Sequence, residues 1–377
     1  MVVHTPPLGW NTWNTFGPHI NEELILRAAD ALVDSGLAAC GYQYLVIDDC
    51  WSKPVRGADG RLEADEEKFP HGMKYVADYV HAKGLKFGMY SCAGQLTCAR
   101  YPGSFDHEFV DAATFAEWGV DYLKYDYCFH PGTRKGEDLY RRMGLALANC
   151  GRDIVFSGCS WGADNTKEWI GTTGCHLWRS TGDIQDSWAS IRALALSQLP
   201  DQVYGRINCY NDMDMLVVGM GGKGNVGLTG CTEEEYRTHF SLWAMLNSPL
   251  MIGCDVCDMD ESAKAILTNR EMLAINQDGA GRQPFVLHNW AMPENTFCLG
   301  KLLENGDIAI GLFNLSDSEC MLYFGYEDFG LDAGTGKALA LRDVWSGEES
   351  PMPNELLWTA VPAHGCRVWR ARVVDRA

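Results

Sequence analysis

At 377 residues with 46% hydrophobic side chains, the chain can bury a large core and exceeds an average single domain. A formal net charge of −19 argues against nucleic acid as a partner, because phosphate backbones reward clustered Lys and Arg. No apolar run reaches the roughly 18 residues of a membrane span, so a soluble protein with no membrane partner is expected.

The chain opens Met1-Val2-Val3-His4-Thr5-Pro6-Pro7, with neither a basic n-region nor a long apolar h-region. The expected location is the cytoplasm, or the exterior if a signal peptide has been removed. Leu8 to Trp13 reads as a short strand, and a helical pattern follows from Asn21 to Ser35. An apolar strand then runs from Tyr42 to Asp49 and ends in two aspartates before Cys50-Trp51. After a helix near Met73 to Lys83 comes the strand Leu85 to Ser91, and after a helix near Val110 to Trp118 comes Val120 to Cys128.

In that last stretch Tyr122, Leu123 and Tyr125 favour a buried strand, and Asp126 stands at its end. A buried charge needs partners, and Lys124 lies two residues back on the same face. The bland alternative is an Asp that caps the next helix. A helix from Gly136 to Asn149 leads to a strand Ile154 to Ser157. Short apolar segments follow at His176 to Arg179, Arg206 to Asn208 and Leu250 to Gly253, with helices near Asp186 to Gln198 and Glu233 to Leu246.

Eight strand candidates alternating with helices predict a (β/α)8 TIM barrel. Beyond about residue 280 the texture changes to short strands at Thr296 to Leu302, Ile308 to Phe313, Cys320 to Phe324 and Arg367 to Val373, which predict an antiparallel β-sandwich. The expected domains are a catalytic barrel over 1–282 and a C-terminal sandwich over 283–377. No cofactor is expected: no G-x-G-x-x-G follows the first strand, and Gly219 to Gly224 lacks the ending of a phosphate loop and reads as a flexible barrel loop. No metal is expected either, since Cys254 and Cys257 form a lone C-x-x-C and a cation site does not normally include Lys and Arg. Fifteen cysteines leave at least one thiol unpaired in a monomer, and self-association into a homo-oligomer stays open. The single sequon at Asn314 says little without evidence of secretion.

In a barrel the strand ends meet at one mouth. They carry Trp13, Asp48 and Asp49, Ser91 with Cys92, Lys124 and Asp126, Cys159 to Trp161, Arg179 with Asp183, and Asp212 with Asp214. Carboxylates and cations that bind hydroxyls, beside tryptophans that cover an apolar ring face, suit a sugar. Each residue also has a structural reading: Asp48 and Asp49 as an N-cap pair, Trp13 as core, Arg179 as a surface ion pair.

The segments Leu8 to Trp13, Ile47 to Trp51, Lys124-Tyr125-Asp126, Arg179 to Ile184, Asn211 to Leu216 and Ala274 to Asp278 closely resemble glycoside hydrolase family 27, in order and over nearly the whole chain. That family holds retaining α-galactosidases and α-N-acetylgalactosaminidases on a barrel plus a C-terminal sandwich. The resemblance implies Asp126 as nucleophile and Asp183 as general acid/base. It also implies Asp48 and Asp49 on the 4- and 6-hydroxyls, Lys124 on the 3- and 4-hydroxyls, Arg179 on the 2-hydroxyl, and Trp13 and Asp214 lining the pocket. Cys98 and Cys128 match a disulfide pair beside the pocket, which a reducing compartment would oppose, and Cys159 and Met215 match positions near the sugar.

Two departures stand out. Met213 replaces the usual Pro between Asp212 and Asp214, and Ser160, in the loop Cys159-Ser160-Trp161-Gly162-Ala163, replaces a Glu found in many α-galactosidases. This loop is expected to face the 2-position. Ser160 with nearby Ala163 resembles the N-acetylgalactosaminidase arrangement, so the substrate expected is a terminal α-galactoside first and an α-N-acetylgalactosaminide second. A non-catalytic galactose-binding protein is the remote alternative. Lys124 is expected to keep Asp126 ionised.

Overall fold

The computed structural model describes residues 1–287, 292–331, 333–352 and 354–376. Its first ten strands are β1 (Leu8–Asn11), β2 (Tyr44–Val46), β3 (Lys86–Cys92), β4 (Tyr122–Asp126), β5 (Val155–Cys159), β6 (Leu177–Arg179), β7 (Asp186–Ser187), β8 (Tyr210–Asp212), β9 (Gly227–Gly230) and β10 (Leu250–Ile252). Eight of them form one parallel sheet in the order β10-β1-β2-β3-β4-β5-β6-β8, while β7 and β9 pair in a separate ribbon. The ends of the large sheet meet through a parallel bridge from Leu216, just past β8, to Ile252. There the Leu216 N–H donates to Met251 O at 2.7 Å and the Gly253 N–H to Leu216 O at 2.9 Å, which closes the barrel.

Helices cover the outside for local reasons that the chain states clearly. Helix Glu22–Asp34 starts where the Asn21 side chain accepts from the Leu24 N–H, and it buries Leu24, Ile25, Ala28, Ala29 and Leu32 on one stripe. Helix Glu233–Met245 begins with a capping box between Thr232 and Glu235. The helix expected at Gly136 appears as Gly136–Ala148, whereas the one expected from Asp186 starts only at Trp188 and runs to Gln198, because Asp186 and Ser187 pair with β9 and the Ser187 side chain caps the helix.

Strand alternation then sorts β4 into two faces. Tyr125 packs edge-on against Tyr140 of helix Gly136–Ala148, with ring centroids 5.6 Å apart. Tyr122 points the other way and joins Val46, Val155, Leu177, Tyr210, Met215 and Met251 in an apolar plug inside the barrel. Above that plug the same face carries Lys124 and Asp126. Register aligns the mouth: Cys92 pairs with Asp126, Asp126 with Cys159, Cys159 with Arg179, and Arg179 with Asp212.

One expected strand is displaced. Arg206 to Asn208 is not a barrel strand; the strand is Tyr210–Asp212. Asn208 sits at φ +64°, where an extended strand cannot continue, and its side chain accepts from the Val3 N–H at 2.7 Å.

The antiparallel strands begin at β11 (Phe285–Leu287), followed by β12 (Thr296–Leu302), β13 (Ile308–Asn314), β14 (Cys320–Gly325), β15 (Lys337–Asp343), β16 (Glu349–Pro351), β17 (Leu356–Val361) and β18 (Cys366–Asp375). Six of them form a sheet in the order β11-β12-β13-β18-β15-β16, and β14 pairs with β17. Cys298, Ile310, Leu312, Leu322, Phe324 and Leu341 fill the space between the two sheets. The other face of the large sheet adds Phe297, Leu299, Phe313 and Val368 to the barrel's own core. At that junction the buried Lys301 ammonium donates to Asn247 Oδ1 and to Ile275 O. The sequon cannot carry a glycan in this fold, because Asn314 is fully buried and its amide donates to Ser318, Val361 and Pro362 carbonyls.

Candidate active site

The end of β4 forms the floor of a pocket. Asp126 is only 6% exposed; its Oδ1 accepts from the Tyr127 N–H at 3.0 Å and its Oδ2 from the Tyr90 hydroxyl at 3.2 Å. Burial pushes its carboxyl up to about 6, against the lowering pull of Lys124 and the Tyr127 amide. Lys124 favours the ionised form of Asp126 as expected, but burial outweighs it. The Lys124 ammonium lies 2.8 Å from Asp48 Oδ2, so its direct partner is Asp48 and it acts on Asp126 only through space. Burial disfavours the lysine's charge, yet Asp48 and the other anions raise its pKa well above the usual value, so it stays a cation.

Asp48 and Asp49 stand just past β2. Asp48 Oδ2 also accepts from the Asn11 amide at 2.7 Å. Asp49 accepts from the Cys50 N–H at 2.7 Å and from the Ala99 N–H at 2.9 Å. Beside Ala99 a disulfide, Cys98–Cys128, ties that loop to the chain leaving β4. Neither β2 nor β4 runs straight into a helix: the next helices start at Gly72 and Gly136, so the capping alternatives for Asp48, Asp49 and Asp126 fail.

The opposite wall is built on Arg179, 4% exposed and hence no surface ion pair. Its Nη2 lies 2.8 Å from Asp183 Oδ1 and 2.7 Å from Asp214 Oδ2. Asp214 also accepts from the Ile184 N–H at 2.7 Å, which fastens the residue after Asp183 to the barrel wall. It holds φ +82°, a conformation that costs of order 1 kcal/mol or more outside glycine and tends to collect at functional sites. Asp183 differs from the other acids in standing out from the wall, its side chain 75% exposed.

Trp13, Asp48, Asp49, Cys98, Lys124, Asp126, Cys159, Trp161, Arg179, Asp183, Asp214 and Met215 all line this one pocket. Ser160 does not. Its hydroxyl is buried and bonded to Thr166 Oγ1 at 2.6 Å, because Trp161 at φ +57° turns outward in its place. Ser91 likewise turns away, to Ser104 Oγ at 2.6 Å. Three lining residues escaped the sequence reading: Asn14, Tyr90 and Val226. Strand parity could have found Tyr90, which pairs in register with Lys124. Val226 lies in a glycine-rich loop without periodicity, so no sequence signal marked it.

Among the described residues one group, Cys98, Asp126 and Cys128, brings metal-ligating atom types within 4.8 Å of one another, but its two sulfurs are joined to each other. No described helix is long and apolar enough to cross a membrane. A larger groove of about 470 Å³ on the sandwich has charged walls already paired among themselves, Arg342 with Glu349 and Arg370 with Asp307. The convergent carboxylates, not cavity size, mark the site.

A β/α barrel whose mouth presents buried carboxylates, one Lys, one Arg and two tryptophans defines a carbohydrate-active enzyme. Residues 5–278 match the alpha galactosidase A family model, and residues 298–371 match the alpha galactosidase C-terminal beta sandwich domain. An α-galactosidase of Cyamopsis tetragonoloba is 41% identical over 372 residues, spanning 97% of this chain and 85% of that protein. The crystal structure of α-galactosidase I from Mortierella vinacea superposes with a TM-score of 0.92 at 34% identity, covering 100% of this chain and 98% of the other. The Saccharomyces cerevisiae α-galactosidase solved with raffinose superposes with a TM-score of 0.86 at 31% identity, over 98% of each chain. The chain belongs to the α-galactosidase family, glycoside hydrolase family 27.

Proposed function

We propose that this protein is a retaining exo-glycosidase that releases terminal α-linked D-galactose from oligosaccharides or glycoconjugates. The observation that carries the reading is the contrast between two acids of one pocket: Asp126 buried in the floor, and Asp183 exposed at the rim on the far side of Arg179. A nucleophile must sit beneath the anomeric carbon, sheltered from water. An acid/base must reach the leaving group and exchange protons with solvent.

In the first step Asp183 donates its proton to the glycosidic oxygen while Asp126 attacks the anomeric carbon, giving a covalent glycosyl-enzyme and a free aglycone. Water that has lost a proton to Asp183 then attacks the same carbon, Asp126 leaves as carboxylate, and the sugar departs with its configuration retained. With its carboxyl near 6, Asp126 is mostly ionised at neutral pH and so competent to attack. The fixed charges of Asp48, Asp49, Lys124 and Arg179 are the hydroxyl ligands, Arg179 for the 2-hydroxyl, and Trp13 and Trp161 offer apolar surface. The N-acetylgalactosamine alternative rested on Ser160 with Ala163, and neither is among the residues that line the pocket, Ser160 being bonded to Thr166.

The test is hydrolysis of nitrophenyl α-galactoside, α-N-acetylgalactosaminide and β-L-arabinopyranoside side by side. The α-galactoside should lead the N-acetyl substrate by at least about tenfold in kcat/KM. Absence of α-galactoside turnover refutes the assignment.

A further inference from the structure

The glycine-rich stretch after β8 is neither a phosphate loop nor a free flap. Gly221 and Gly222, at φ +59° and +78°, turn their N–H groups inward: Gly222 donates to Asp186 Oδ2 at 2.6 Å and Gly221 to the Tyr236 hydroxyl at 2.9 Å. That hydroxyl donates to Asp186 Oδ1 at 2.9 Å and accepts from the Cys231 N–H at 3.4 Å. One buried pair thus clasps the loop at both ends. A Cβ on Gly230 would come 2.9 Å from Gly222 N, so the two arms are held back to back.

The loop's middle is fastened too. Val226 donates its N–H to Asn14 O at 3.0 Å and accepts the Asp186 N–H at 3.0 Å. Its two backbone bonds therefore join the Trp13–Asn14 side of the pocket to the segment 183–187, which carries Asp183 at its start and β7 at its end. Val226 itself lines the pocket. A proton donor faces the glycosidic oxygen, and the aglycone lies beyond that oxygen. A wall bonded to the donor's own segment therefore stands on the leaving-group side of the pocket.

We propose that segment 219–230 is the leaving-group wall of the pocket, with Val226 in contact with the aglycone and with Asp186 and Tyr236 as positioning residues that fix Asp183 relative to the glycosidic oxygen. This rests on the α-galactosidase reading and on Asp183 as its acid. An apolar valine there suits the C–H face of a second sugar ring or an aryl group. Tyr236 contributes its hydroxyl alone to the clasp, so Tyr236→Phe removes the bonds to Gly221, Cys231 and Asp186 while keeping the ring.

The experiment measures kcat/KM for an α-galactosyl disaccharide and for aryl α-galactosides of graded leaving-group pKa, together with the Ki of free galactose. In Tyr236→Phe the disaccharide should lose about tenfold or more, the dinitrophenyl galactoside less than about twofold, and galactose Ki should stay within about twofold, because misplacing an acid harms only leaving groups that need protonation. A loss of equal size on every substrate, or no loss, overturns the proposal. Should Tyr236→Phe fail to fold, Val226→Ala decides, since it touches no hydrogen bond of the clasp. The ratio of disaccharide to nitrophenyl kcat/KM should then shift by about fivefold or more, and an unchanged ratio overturns the wall. A wild type inactive on every α-galactoside sinks the function and the loop together, whereas an active wild type with leaving-group-independent losses sinks the loop alone.

Discussion

Replacing Asp126 by Asn should make the protein more stable at neutral pH while destroying turnover. The carboxyl is pushed from the ordinary 3.8 up to about 6 by burial, which corresponds to about 3 kcal/mol. Its folded pKa lies above its unfolded one, so its contribution is fully present below about pH 4, where both states hold the proton. It is lost as pH rises through about 6, because the unfolded chain releases the proton more readily. Asn imitates the protonated acid: its oxygen can still accept from the Tyr127 N–H, its amide NH2 can donate to the Tyr90 hydroxyl oxygen, and it carries no charge to desolvate. The variant should therefore gain about 3 kcal/mol at pH 7 and almost nothing at pH 4. With an unfolding entropy of about 2.1 cal/mol/K per residue, that is about 4 °C in Tm for a chain of this size. Thermal unfolding of both proteins at pH 4 and pH 7 is the assay, with galactose binding as the check that the pocket survives. A gap that does not change with pH, or a variant less stable at pH 7, refutes the reasoning. Hydrolysis should fall by several orders of magnitude, and near-normal activity would remove Asp126 from the mechanism.

Asp183→Ala should cripple hydrolysis of alkyl or sugar α-galactosides yet spare glycosylation by a dinitrophenyl substrate, and equal losses on both would contradict its role as acid. The kcat/KM profile of the wild type should fall about tenfold per pH unit below about pH 6, where Asp126 takes up its proton; an acid limb centred near 4 would show that the pocket leaves this carboxyl unshifted. Lys301, buried between barrel and sandwich, has its pKa lowered to about 7 by burial, so the folded state loses its proton before the unfolded state does and stability from this group rises with pH above 7. Relative to wild type, Lys301→Met should lose about 2 to 3 kcal/mol of its advantage between pH 6 and pH 9, measured by urea midpoints; a pH-independent difference would show that the lysine stays charged throughout.

Strand and helix alternation, and the polar residues at strand ends, were legible because both follow from local periodicity and from the cost of putting charge beside an apolar run. Asp126 and Lys124 were assigned to one face by the two-residue repeat alone, and the family resemblance supplied their roles. The register that lines up Asp126, Cys159, Arg179 and Asp212 had no local signature; it depends on how neighbouring strands slide, which barrel closure decides. Local sequence also misjudged Arg206 to Asn208, since only the Asn208 turn and its bond to Val3 exclude a strand there. Ser160 was legible as a loop residue but not in its direction, which the left-handed turn at Trp161 and the Thr166 hydroxyl determine. Lys124 could be placed beside Asp126 but not paired: only the folded barrel brings Asp48, 76 residues away in the chain, to its ammonium and leaves Asp126 to be governed by burial. Amino-acid order, then, determined which strand ends carry polar groups and which residues of a strand share a face, because strand parity is a property of a few bonds. Which of those groups touch, and with what protonation, was decided by tertiary structure, because hydrogen-bond partners and desolvation belong to neighbours distant in the chain.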